Sequence, residues 1–317
     1  NSWMHTPQGY ELRDGIVHAT DWWAIIFNPS MPYRLTHMLL ASGLTVAFLI
    51  AGLAAFRRLI GDRSATSALQ LRFGLTLGAI LIPVQILMGD LHGLNTLEHQ
   101  PAKVAAMEGN WNTGPNIPLL LFAIPDEAAR TNHAEIAVPN GASLILKHDP
   151  DGVVPGLNDF VAADGTALHP PVAPVFWGFR VMVGTGLAML ALSWVGVALI
   201  WRRKGADALP RLFLLATTAM AFSGWVATLA GWYVTEIGRQ PWLVTGVLST
   251  KAAVGDVAAP MVMGTLMAYL AVYAGLLIAY IGALMHLARR AAHGVLPPDP
   301  ADQRARPSQT PSITPAE

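Results

Sequence analysis

The sequence predicts an all-α membrane protein with five transmembrane helices, and three observations carry that prediction. First, 53% of the residues are hydrophobic and only 13% are charged, against roughly 25% charged in an ordinary soluble domain. Second, apolar runs occupy 35–56, 72–89, 175–201, 211–234 and 262–288, each near the ~20 residues that cross a hydrocarbon core of roughly 30 Å. Third, the alternating ten-residue segments of a membrane barrel are absent, and backbone in lipid must satisfy its own hydrogen bonds, so the runs are helices.

In chain order, 1–34 is a connecting segment on the outer face. It starts at Asn1 without an initiator Met, a basic n-region or an apolar h-region, so no signal peptide is expected there and the chain reads as a fragment. Residues 35–89 hold the first two spans, 90–174 a long outer loop, 175–290 the remaining three spans, and 291–317 a tail. Basic residues set the orientation: Arg57, Arg58, Arg63 and Arg72, then Arg202, Arg203, Lys204 and Arg211, then Arg289, Arg290, Arg304 and Arg306 mark the cytoplasmic side. The loop is too long for a plain connector and contains ordered-looking pieces such as ASLILKH. From Gly294 the tail has six prolines in 24 residues and is expected to be disordered.

Lys plus Arg equals Asp plus Glu at 20 each, which leaves no basic excess for nucleic acid. Cysteine is absent, so His, Met and carboxylates are the available metal ligands.

Ionisable groups inside membrane helices are costly and default to functional candidates. His37, in RLTHMLLASG, is either an interfacial histidine or a heme axial ligand. Met182, in FWGFRVMVGTG with Gly178, Gly184 and Gly186, is either core packing or the partner in a His/Met ligation. Arg180 lies two positions away, about 200° around the helix, and would reach a propionate or a carboxylate instead of the same iron. In GWYVTEIGRQPW, Trp232, Glu236 and Arg239 at i, i+4 and i+7 share one face, and Pro241 disfavours helix before it. That face is either an interfacial Glu-Arg pair in an aromatic belt or a site where a carboxylate ligates iron or accepts protons. In HQPAKVAAMEG, Pro101 suits a helix start and Gly109 its stop. Lys103 and Glu108 then stand the wrong way round for the helix dipole, so they serve either a solvated turn or something other than helix stability.

Together these pieces resemble subunit I of the cytochrome bd family of quinol oxidases. GWYVTEIGRQPW resembles that family's GRQPW signature, GDLHGLNTLEHQPAKVAAMEG the start of its quinol-binding Q-loop, and NSWMHTPQG the segment after its fourth helix. The resemblance covers residues 1 to 290 and implies the C-terminal part of a nine-helix subunit with a periplasmic Q-loop of the short type, similar to the cyanide-insensitive branch. It implies His37 and Met182 as axial ligands of a low-spin heme b, with Arg180 beside it. Gln100, Lys103 and Glu108 become the quinol-oxidising residues, and Glu236 the carboxylate of a high-spin heme b, with Trp232 and Arg239 in that heme's environment. Heme d at the oxygen site, subunit II and a small accessory subunit as partners, ubiquinol or menaquinol as substrate, and the bacterial inner membrane as location follow from the same resemblance. The implied activity is quinol:oxygen oxidoreduction, with oxygen reduced to water. The family's first four helices, with a ligating histidine and glutamates, have no counterpart in the sequence, so this chain alone is expected to be inactive. The alternative is a secondary transporter with Glu236, Arg239 and Arg180 along an intramembrane path.

Overall fold

The computed structural model describes residues 1–203 and 205–294. Five helices are long and apolar enough to cross a membrane: Met31–Leu59, Ala65–His99, Val172–Arg202, Arg211–Ile237 and Ala259–Ala292. Lys204, Arg304, Arg306 and the proline-rich tail from 295 on lie outside the described residues. The all-α expectation holds for the spans, and three small two-stranded hairpins are added in the connections.

The second helix begins where Ser64 Oγ accepts the Ser67 amide at 3.2 Å, the side-chain cap that a helix start needs. It does not stop where the apolar run ends at 89 but continues to His99 and ends where Gln100, restricted by the following Pro101, leaves the helical region at φ −141°. The fourth span is interrupted by one 3-10 turn at Met220–Phe222.

The first four spans form a ring in which first packs on second, second on third, third on fourth and fourth on first. The first and third therefore stand on a diagonal. Small residues allow the close approach: a Cβ on Gly74 would lie 2.5 Å from the Ala47 carbonyl, and one on Gly224 would lie 2.5 Å from Thr45. Leu44, Phe48, Ile82 and Met189 fill the middle of the ring, and Ala51, Ala55, Leu71, Leu75 and Phe213 its basic end. The fifth helix rests on the bundle through Ala288, its one buried residue, through Arg289 over the Phe56 ring, and through Tyr280 edge-on to Trp225.

The long connection is built, not slack. After the second helix comes the short helix Pro101–Glu108, stopped by Gly109 in the left-handed region at φ 67°, where an added Cβ would also press on Phe176 at 3.0 Å. A hairpin of Leu119–Asp126 with Thr131–Val138 follows, then a helix at Gly141–Lys147 that contains all of the ASLILKH piece but His148. Ala105, Ala106, Trp111 and Leu157 bury against Val172, Val175 and Val234, which seats this connection on the third and fourth helices.

Candidate functional site

Two motifs distant in sequence meet at one buried amine. Lys103 is 3% exposed; its Nζ donates to Gln100 Oε1 at 2.8 Å and to the Thr235 carbonyl at 3.3 Å, and lies 3.2 Å from His5 Nδ1. Gln100 Nε2 donates to Thr245 Oγ1 at 3.0 Å. The start of the long connection is thus fastened to both sides of the GRQPW stretch. Burial, then the charges of Arg34 and Arg239, push the Lys103 amine well below its ordinary range, and Glu236 opposes them.

Glu236 and Arg239 form a pair beside this cluster. Arg239 donates to Glu236 Oε2 at 2.6 Å and to Asn1 Oδ1 at 3.1 Å, and Asn1 Nδ2 donates to the other Glu236 oxygen. The helix ends at Ile237, so Arg239 belongs to the turn after it and not to the face of Trp232. Trp232 points away and is 59% exposed.

Glu108 lies elsewhere. It follows Lys103 by five positions, about 140° around the helix, and meets Arg180 of the third spanning helix at 3.2 Å. Arg180 also donates to the carbonyls of Leu120 and Met107 and stacks over the Phe176 ring at 3.8 Å. Of the destinations open to Arg180, the carboxylate is the one occupied. Burial raises the Glu108 carboxyl above the usual carboxylate range, with Arg180 pulling the other way. Glu108 borders an open cleft of about 270 Å³ shared with Asn110, Trp111, Arg130, Asn132 and Glu135. Both charges of the short helix are therefore buried and partnered outside it, which accounts for their placement against the dipole.

His37 of the first span faces the second. Its Nε2 is 3.0 Å from Gln85 Nε2, its ring is 5.6 Å from that of His92, and its Nδ1 is buried with no partner among the described residues. Met182 of the third span lies against the fourth, where a Cβ on Gly231 would meet Sδ at 2.7 Å. The two candidate ligands stand on the diagonal helices, His37 against the second span and Met182 against the fourth. A buried imidazole nitrogen without a partner and a thioether over glycine fit the donor set of a heme iron. A Cβ added at Gly184 or Gly186 would meet nothing within 4 Å among the described residues outside the backbone of its own helix.

Sequence reasoning assigned no role to His5, Arg34, Gln85, His92 or Thr245. Arg34 stands one helical turn before His37 and within electrostatic reach of Lys103, His5 and Arg239, a spacing the sequence displays. His92 lies beyond the apolar run that ends at 89, so hydropathy leaves it outside the span.

The family described as cytochrome bd terminal oxidase subunit I matches residues 1–292. Cytochrome bd ubiquinol oxidase subunit 1 of Bacillus subtilis is 30% identical over 293 residues, 90% of this chain and 61% of that protein. Cytochrome bd-II ubiquinol oxidase subunit 1 of Escherichia coli is 24% identical over 96% of this chain and 71% of that one. Among solved structures, the bd oxidase from Geobacillus thermodenitrificans superposes with a TM-score of 0.81 at 32% identity, over 92% of this chain and 65% of that chain. The chain thus spans less than two thirds of the Bacillus and Geobacillus proteins. These likenesses give no support to a secondary transporter.

Proposed function

Because the chain belongs to the cytochrome bd terminal oxidase subunit I family, we propose that it is the quinol-oxidising part of a bacterial terminal oxidase. The observation that carries this is the convergence of the Gln100–Lys103 segment and the GRQPW turn on one buried amine. Gln100 meets a quinone oxygen with the amide hydrogen that Thr245 leaves free, and Lys103 acts on it through its charge, its N–H bonds being directed at protein acceptors. A quinol that yields two electrons also yields two protons. Glu108 faces away from Gln100 and Lys103, so one of those protons reaches it only by relay; its carboxyl, raised by burial and bordering an open cleft, then releases that proton to water. Arg180 keeps that carboxylate from rising too far.

His37 and Met182 would hold the iron of a low-spin heme b, and Glu236 would serve a high-spin heme b, with Arg239 and Trp232 near it. Heme d completes the set at the oxygen site. Bound hemes supply the one-electron chemistry by which quinol electrons reach oxygen. Subunit II and a small accessory subunit are the partners, ubiquinol or menaquinol the substrate, and the bacterial inner membrane the location. The end carrying the long connection is periplasmic and the Arg57–Arg58 end cytoplasmic, as the distribution of basic residues supports.

Glu108→Gln tests this in the intact oxidase. Quinol-dependent oxygen uptake is expected to fall roughly a hundredfold, within the range for a lost general base, with heme content unchanged. The alkaline shift of the acid limb that a raised carboxyl produces should vanish with it. Wild-type turnover in that variant would remove Glu108 from the mechanism.

A further inference from the structure

His5 is among the most enclosed ionisable side chains in the structure, at 1% exposure, and none of the roles above uses it. It ends the short helix Ser2–His5. Its Nδ1 lies 3.2 Å from Lys103 Nζ and 3.2 Å from Gln100 Oε1, and its Nε2 is buried without a partner among the described residues.

Counting donors shows what the ring must do for Lys103 to be an ammonium, the form that burial and the two guanidinium charges oppose. An ammonium group has three N–H bonds and seeks three acceptors. Gln100 Oε1 and the Thr235 carbonyl supply two. The third is His5 Nδ1, and it accepts only if the ring is neutral with its proton on Nε2. The surroundings of the ring favour that state. Burial, then Lys103, Arg34 and Arg239, hold the imidazole far below its ordinary value; in this tautomer the Gln100 oxygen 3.2 Å from Nδ1 is bonded to the lysine and not to the ring, and Nε2–H is the group left without a partner among the described residues. Glu236 is the carboxylate acting on Lys103. A neutral nitrogen lone pair at this position favours the ammonium of Lys103 without adding charge to a site that already faces two guanidinium groups.

We infer that His5 is a positioning residue of the quinol site, holding Lys103 as a triply hydrogen-bonded ammonium beside Gln100. This rests on the quinol role of Lys103 and Gln100 given above. Glutamine at position 5 would present a neutral acceptor at every pH; leucine would present none.

The experiment compares His5→Leu, His5→Gln and Lys103→Met in the intact oxidase in its membranes, measuring quinol KM and kcat per heme across pH. Losing an acceptor disfavours the ammonium, so Lys103 gives up its proton at lower pH. His5→Leu is expected to move the alkaline limb about one pH unit or more downward and to raise KM roughly tenfold, the scale of one hydrogen bond to a charged group. His5→Gln is expected to restore both, and per-heme normalisation removes any loss of assembled protein. If His5→Leu lowers kcat evenly at all pH without moving KM or the limb, or if His5→Gln fails to rescue it, His5 is a packing residue and the inference is overturned. A silent His5→Leu beside an impaired Lys103→Met overturns the inference alone. A silent Lys103→Met overturns the quinol role of Lys103 and the inference with it.

Discussion

Arg180→Met removes a guanidinium from the junction between the long connection and the third spanning helix, while leaving a flexible stem over Phe176. The loss is large because of what remains. Glu108, with 7% of its side chain exposed, keeps its charge and loses its partner, and the carbonyls of Met107 and Leu120 lose their donor. Deleting one member of a buried pair costs about 3–5 kcal/mol, mostly through the stranded charge. The cost falls on docking of the connection, since Met107 sits in the short helix and Leu120 in the hairpin, not on the transmembrane core. Its pH dependence has a definite sign. A carboxyl raised in the folded state contributes stability that is complete below its unfolded pKa and lost as pH rises through the folded value. Without Arg180 the Glu108 carboxyl rises further, so the penalty shrinks in acid and grows in alkali. Tryptic cleavage after Arg130, in the exposed turn at 127–130, reads the opening of the hairpin. Arg180→Met should cleave much faster than wild type, increasingly so with rising pH. Adding Glu108→Gln should recover about 2 kcal/mol by removing the stranded charge. Additivity of the two substitutions within about 0.5 kcal/mol, or cleavage indifferent to pH, would refute the buried-pair reasoning.

The heme-ligand assignment can be approached from both sides of one contact. Met182→Leu conserves volume and removes the thioether, and Gly231→Ala drives a methyl to 2.7 Å from the same sulfur. Both should shift the low-spin band in reduced-minus-oxidised spectra and change its midpoint potential, with the protein still assembled; two unchanged spectra would strike Met182 from the ligands.

The spans were legible because lipid imposes one strong rule on composition, and 20-residue apolar runs obey it. Their ends were less so. The second helix outlasts its apolar run, since hydropathy reports the solvent and not the backbone, and His92 went unassigned with the extension. Pro101 and Gly109 marked the short helix correctly, because φ restriction at one end and left-handed geometry at the other are local properties. The face shared by Trp232 and Arg239 did not form, as periodicity cannot say that the helix stops at Ile237. Gln100, Lys103 and Glu108 stand within nine residues in the sequence, yet the helix turns Glu108 toward Arg180 and away from the other two. His5 escaped notice for the opposite reason: its partner is 98 positions away.

The second helix has 35 residues, about 52 Å at 1.5 Å per residue, against roughly 30 Å of hydrocarbon. Its apolar run ends at 89, so it carries Gln100 about 15 Å beyond that point, while the amine of Lys103 reaches back to the Thr235 carbonyl, one residue past the apolar run of the fourth span. A lipid-dissolved reductant then meets the amine at the edge of the hydrocarbon, beneath a roof raised by the surplus length. Bilayer thickness thereby becomes a rate variable: quinol KM should change with acyl length as that edge moves past Thr235, and a KM indifferent to acyl length would rule the idea out. Helix length, not side-chain chemistry, then sets where the substrate stops.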